Sequence, residues 1–291
     1  YEILWKNFFS NLGLKYIVSE PTNKEMIREG TALSIDEACL STKIYMGHIK
    51  SLIGKCDYIL VPRISNFGIK RNMCTKFEAL YDIACNVFRK SGQKFLSYNV
   101  DELQSITEEK AFISMGEELG FTKKEASAAY KAAKKAEGDY LKNQVKSQDL
   151  LFKKSGLKIL IASHSYVEMD AYIGKPVTNY LKKMGVIPLY ADIVDRRDAI
   201  RQSIKISPTL KWEFSKEIVG GVQLYKDKID GIILLSAFPC GPDSMVNEMI
   251  IRRFRGIPIL NIVLDDQDGT AGLETRLESF IDILKFKGGA L

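Results

Sequence analysis

The sequence predicts an α/β protein built from two parallel-sheet domains. Short apolar runs of strand composition alternate with helical patterns along the chain. Its 291 residues suffice for two domains of ordinary size. A content of 46% hydrophobic and 27% charged residues is that of a globular chain rather than a disordered one.

In chain order, helices are expected over 2–12, 34–53 and 75–90, and strands over Leu14–Ser19, Asp57–Pro62 and Lys94–Tyr98. Ser34 and Glu37 have capping-box spacing and would open the second helix. Leu80, Tyr81, Ala84, Cys85 and Phe88 form the apolar face of the third, which makes Cys85 a core residue. Residues 106–155 read as continuous helix, rich in alanine and lysine. Strands resume near Lys158–Ala162, Val186–Tyr190, Gly231–Ser236 and Pro258–Val263, with helices near 171–184, 212–226, 242–254 and 271–286. The expected organisation is a first α/β domain over 1–105, a helical connector over 106–155 and a second α/β domain over 156–291.

The formal net charge is +6, and residues 122–154 hold nine lysines against four acids, or +5. One lysine-rich helical segment therefore accounts for most of the basicity. Aromatics are scarce in it and no nucleic-acid motif accompanies it, so a solvated helix face is the expectation and a nucleic-acid role is not. No apolar run reaches 18 residues and no secretory pattern opens the chain, so a cytoplasmic protein with no membrane span is expected. The chain opens on Tyr1 rather than Met, which leaves room for a start upstream.

Common catalytic and nucleotide motifs are missing from the sequence. It has no GxxxxGK(S/T), no GxGxxG after a strand, no GxSxG elbow, no HExxH and no CxxC. What remains is five widely spaced cysteines: Cys39, Cys56, Cys74, Cys85 and Cys240. An odd number with such spacing argues against a disulfide framework and leaves core residues, nucleophiles or metal ligands. Cys74 and Cys240 each follow a strand and precede a helix, which puts them at the C-terminal edge of a sheet beside a helix N-terminus. Ligands of open α/β sheets bind at that edge, and the helix dipole favours thiolates there. Cys39 falls inside the helix expected over 34–53, with Lys43 one turn later on the same face. A metal site shared by Cys39, Cys74 and Cys240 competes here with three unrelated buried cysteines. Cys56 starts a strand, on the edge opposite Cys74, which argues against it as a ligand.

Four stretches carry a family resemblance. They are Glu37-Ala38-Cys39-Leu40-Ser41-Thr42-Lys43 with Gly47-His48; Asp57-Tyr58-Ile59-Leu60-Val61-Pro62-Arg63 followed by Cys74-Thr75-Lys76-Phe77; Phe238-Pro239-Cys240-Gly241-Pro242-Asp243-Ser244; and Leu264-Asp265, then Gly269, Ala271-Gly272 and Thr275-Arg276-Leu277-Glu278. Together they resemble the 2-hydroxyacyl-CoA dehydratase-like proteins associated with ATP-dependent activases. The resemblance implies two Rossmann-like domains with a [4Fe-4S] cubane in the cleft between them. It implies Cys39, Cys74 and Cys240 as the three cysteine ligands. It also implies a first sheet lacking the strand with which such proteins often open. A related group carries a double cubane, which needs more cysteines than this chain offers; two subunits sharing one, as a homodimer, remain an open arrangement.

The chemistry expected from this resemblance is low-potential reduction. An ATP-hydrolysing activase or reductase partner would deliver electrons to the cubane, whose iron left open by three thiolates would meet a small-molecule substrate of unknown identity. Whether Cys56 or an outside ligand fills the fourth position separates catalysis from electron transfer. A non-catalytic electron carrier or cluster scaffold, and a metal-free two-lobed small-molecule binding module, are the rival readings. His164, just after the strand Lys158–Ala162, is a candidate proton donor, and Lys43 a candidate for offsetting cluster charge. Arg63 and Lys76 share the second role, and His48 is weighed for the cleft. The turn over 268–272, flanked by Asp265 and Arg276, is a candidate anion cradle. Phe77, Phe238 and Pro239 are expected to shield the cluster.

Overall fold

The computed structural model describes residues 1–266 and 270–288. The chain opens with helix α1 (Glu2–Asn11) and continues irregularly to Asn23. The strand expected at Leu14–Ser19 does not form: Tyr16, Ile17 and Val18 are exposed, and an apolar run without a ladder gains too little to hold as a strand. Helix α2 (Lys24–Ala32) is capped by Asn23, whose side chain accepts from the Met26 N–H at 3.0 Å. Helix α3 (Leu40–Leu52) begins later than the expected 34, because Ser34 donates back to the Gly30 carbonyl at 2.7 Å and so ends α2 instead of opening α3.

Strands β1 (Tyr58–Leu60) and β2 (Arg63–Asn66), helix α4 (Thr75–Val87), and strands β3 (Lys94–Leu96) and β4 (Asn99–Asp101) follow. The expected helical region is two helices, α5 (Glu108–Glu118) and α6 (Lys123–Phe152), broken at Gly120, whose φ of 90° ends the first. Then come β5 (Lys158–Ala162), α7 (Ser165–Glu168), α8 (Lys175–Lys183), β6 (Ile187–Tyr190), α9 (Arg196–Ile206), α10 (Glu213–Tyr225), β7 (Gly231–Ala237), α11 (Gly241–Arg253), β8 (Ile259–Leu264) and α12 (Thr270–Gly288). The strands expected in this half all form. Helix α9 has no counterpart in the sequence reading; its Asp195 cap accepts from the N–H groups of Arg197 and Asp198.

The chain forms two compact units. The first comprises Tyr1–Glu20, His48–Gln144 and Lys211–Glu213; the second comprises Pro21–Gly47, Val145–Leu210 and Phe214–Leu291. In the first, β1 pairs with β3 and β2 with β4, giving two separate two-stranded parallel sheets. An aromatic cluster fills its core: Phe112 lies 5.0 Å from Phe8, 4.5 Å from Tyr98 and 5.3 Å from Tyr130, centroid to centroid.

In the second unit four parallel strands form one sheet in the order β6-β5-β7-β8. Strand β7 is buried along its whole length, as a central strand covered on both faces must be. One face carries Ile159, Ile161, Ile233, Leu235 and Ile262, packed with Val177 and Leu181 of α8 and Leu277, Phe280 and Leu284 of α12. Alternation sends Leu160, Ile232 and Leu234 to the other face. The whole is a mixed α/β protein with parallel sheets, and no helix among the described residues is long and apolar enough to cross a membrane.

Candidate functional site

The strand order of the second unit locates a topological switch point. From β5 the chain goes to β6 on one side, and β7 lies on the other side of β5 and leads away to β8. Connections of opposite direction diverge at the C-terminal ends of β5 and β7, where open α/β sheets bind ligands. The loops leaving those two strands carry His164 and Cys240.

Cys240 stands at the N-cap of α11, with Pro242 in the first turn, and the Ser244 hydroxyl donates to the Cys240 carbonyl at 2.8 Å. Cys39 immediately precedes α3, at its N-terminus and not inside a helix as the sequence suggested. Its thiol lies 3.2 Å from the Thr42 hydroxyl. The two cysteines are brought together by a backbone bond, Leu40 N–H to the Phe238 carbonyl at 2.7 Å. Burial pushes the Cys240 thiol up, and the neighbouring Asp243 carboxylate and Cys39 sulfur push it further.

His164 caps the short helix α7 and is buried. Its Nε2 is 2.9 Å from Asp243 Oδ1, so one hydrogen bond joins the loop after β5 to the first turn of α11. Tyr166 stacks on the imidazole at 5.0 Å. Burial alone would lower the histidine's pKa, but the Asp243 charge and hydrogen bond outweigh it and raise it. Burial likewise works to raise Asp243, and His164 outweighs it, holding the carboxyl below its ordinary range. Lys43 lies 3.9 Å from Asp266, which follows the end of β8, and Thr31 donates to the same carboxylate at 3.3 Å. Cys39, Lys43, His164 and Cys240 thus all belong to the second unit.

Two acids at this sheet edge escaped the sequence reading. Glu168, on α7, is 1% exposed, and Asp192 follows the end of β6. Buried oxygens of both, Oε2 of Glu168 and Oδ1 of Asp192, meet no hydrogen-bond donor among the described residues. Burial raises Glu168 well above the usual carboxylate range, with Asp192 adding to the rise, and burial pushes Asp192 up to about 6. Their positions are fixed by close packing. A Cβ on Gly174 would lie 2.0 Å from the Val167 carbonyl oxygen, so this glycine lets the following loop press on the backbone of α7. The buried Gln148 side chain exchanges hydrogen bonds with Tyr190 and donates to the Ile193 carbonyl, which also accepts from Tyr225 Oη, each at 2.8 Å. The signal available in the sequence was positional: His164, Asp192 and Asp243 all lie shortly after strand ends.

Because both acids bind protons more readily folded than unfolded, their contribution to stability is complete below about pH 4 and is lost as pH rises through about 6 and beyond. Glu168→Gln removes the Glu168 share of that dependence, and its amide is placed to donate to Asp192. Between about pH 5 and about pH 8, wild-type stability should fall relative to the variant by on the order of 2 kcal/mol, read from urea midpoints. Parallel pH profiles would show that the two carboxyls do not face each other.

In the first unit, Cys74 caps α4, its sulfur accepting from the Phe77 N–H at 3.4 Å. Arg63 bonds Asp82 at 2.6 Å and lies over the Tyr81 ring. His48 Nδ1 is 2.8 Å from the Ser19 hydroxyl. Cys56 sits in the turn before β1, its thiol raised by burial and by Asp57. Cys85, expected in the core, is only half-buried and hydrogen-bonds Tyr81, because it lies to the side of the stripe formed by Leu80, Ala84 and Phe88. Asp268 and Gly269 of the candidate anion cradle lie outside the described residues; Arg276 donates to the Asn261 carbonyl at 2.5 Å.

As donors, Cys39 and Cys240 suit an iron–sulfur cluster: both are thiols without a disulfide, half-buried, and set at helix N-termini. Among the described residues no group of three or more His, Cys, Asp and Glu stands ready to hold a metal ion. Residues 1–194 match the family model described as "CoA enzyme activase uncharacterised domain (DUF2229)". No curated protein matches the chain.

Proposed function

Since the chain belongs to the CoA enzyme activase uncharacterised domain family, we propose that it is an iron–sulfur protein that takes low-potential electrons from an ATP-hydrolysing activase and uses them to reduce a small molecule. One observation carries this reading: the sheet edge of the second unit brings Cys39 and Cys240 together at two helix N-termini, whose positive dipole ends favour an anionic cluster. Cys74, at the N-terminus of α4, is the third thiolate of the proposed set. When bound, a [4Fe-4S] cluster supplies one-electron reduction. The chain's own residues do the rest. His164, its pKa raised by Asp243, holds a proton at the switch point. The Lys43–Asp266 pair sets a cation against the α3 N-terminal turn.

A metal-free small-molecule module is the second reading, favoured by the protonated state that burial and Asp243 impose on the Cys240 thiol. The two are separated by preparing the protein without oxygen and measuring iron, acid-labile sulfide and the EPR spectrum after reduction. Wild type and Cys56→Ser should each carry about four irons per chain. Cys39→Ser, Cys74→Ser and Cys240→Ser should each lose most of the iron while remaining folded by circular dichroism. Iron-free wild type would leave the metal-free module standing.

A further inference from the structure

We propose that Glu168 and Asp192 share a single proton and form an internal acid that sets the charge on His164. The inference deepens the proposed function, resting on His164 as the proton-holding group of the switch point, but it needs no cluster to be tested.

The geometry leaves few alternatives for the two acids. Glu168 Oε2 and Asp192 Oδ1 are both shut off from water and without a donor among the described residues. Two ionised carboxylates facing each other in a buried site repel strongly. One shared proton removes that repulsion and makes each group the other's hydrogen-bond partner. Neither side chain escapes to solvent easily, since Gly174 packs on the backbone that carries Glu168, and Gln148 and Tyr225 hold the loop that carries Asp192.

The groups facing this acid pair and His164 come from four elements. Asp243 of α11 bonds His164 directly. Asp192 acts on His164 by charge from the β6 side, and so does Glu217 of α10, which Arg196 answers at 2.6 Å. Tyr190 of β6 faces Glu168, and Tyr225 of α10 faces Asp192; burial raises both phenols, so they stay neutral through the working range. The titrating neighbour of His164 is therefore the acid pair. While the pair holds one proton it presents one negative charge to the imidazole. On taking a second proton it presents none, and on losing its last it presents two. A proton given up by His164 at the switch point is thus balanced by a change in the pair's own affinity.

The test uses metal-free protein, with two measurements. Infrared spectra across pH read protonated carboxyl groups. A carboxyl band at neutral pH is expected in wild type and in Asp192→Asn, where burial keeps Glu168 protonated, and is expected to be absent from Glu168→Gln. NMR titration reads the imidazoles, and the chain has only two histidines, so the His164 signal is the one lost in His164→Gln. Glu168→Gln leaves Asp192 fully charged and Asp192→Asn removes that charge. The His164 midpoint should therefore be higher in the first variant than in the second, by about one pH unit. A purely structural pair would give equal midpoints, and equal midpoints overturn the proposal. So does a wild-type protein with no protonated carboxyl at neutral pH, a result that needs no variant to fold. Neither outcome bears on iron binding, and iron-free Cys39, Cys74 or Cys240 variants leave the acid pair untouched.

Discussion

Gly221→Ala is expected to lower the stability of the second unit by about 3 kcal/mol or more, while Gly138→Ala is expected to raise stability by up to about 1 kcal/mol. Both glycines are helical, and only their surroundings differ. A Cβ on Gly221 of α10 would stand 1.8 Å from the Ala191 carbonyl oxygen and 2.7 Å from its carbon. Those are backbone atoms, so no side chain can rotate away and the helix must lift off the sheet edge. Ala191 immediately precedes Asp192, so the same shift would displace an acid of the candidate site. A Cβ on Gly138 of α6 meets nothing within 4 Å, and there alanine only removes the conformational freedom of the unfolded chain. The chain's two tryptophans, Trp5 and Trp212, both belong to the first unit, so their fluorescence does not follow the second. Amide exchange in β5 and β7 is the appropriate reading. Unchanged protection there in Gly221→Ala would show that α10 does not approach Ala191 so closely.

Arg71→Met is expected to destabilise the first unit by about 3 kcal/mol, because it strips a charged partner from a buried carboxylate. The Glu213 side chain is 0% exposed, and Arg71 reaches it with Nη2 at 2.7 Å from Oε1 and Nε at 3.1 Å from both oxygens. This pair secures an unusual piece of chain. Residues Lys211–Glu213 belong to the first unit although the chain on either side belongs to the second. Their backbone is stitched to Asn72, whose N–H donates to the Lys211 carbonyl at 2.9 Å and whose carbonyl accepts from the Glu213 N–H at 3.0 Å. Replacing both partners, as Arg71→Met with Glu213→Leu, should recover much of the loss, since no buried charge is then left without its cation. Trp212 sits beside Glu213 and reports the effect directly in urea titrations. A single variant as stable as wild type would show that Arg71 is not what compensates the buried Glu213 carboxylate.

Much of the fold was legible because its signals are local. The strands β5, β6, β7 and β8 each lie in a short apolar run bounded by turn residues, and α4, α10, α11 and α12 each show a helical period. The failures were also local in cause. Leu14–Ser19 has strand composition but no partner strand, and Ser34 has a capping residue's chemistry but serves the end of α2. The resemblance read from short motifs agrees, at family level, with the model that matches residues 1–194. Within the site, Cys240 beside a helix N-terminus and His164 after a strand were placed correctly, since each follows from one strand end and one helix start.

By itself, then, the sequence determined the α/β class, the parallel strands of the second half and the sheet edge at which His164 and Cys240 emerge. Tertiary structure alone decided that residues 21–47 join the second unit, that Lys211–Glu213 return to the first, and that Cys39 meets the loop before Cys240. It alone decided, too, that His164 bonds Asp243 and that Glu168 faces Asp192. The reason is physical. A helix or strand is encoded by the spacing of neighbours along the chain, whereas the charge state of a carboxyl or imidazole depends on burial and on groups brought from distant segments. No residue type or spacing records that environment until the sheet has assembled.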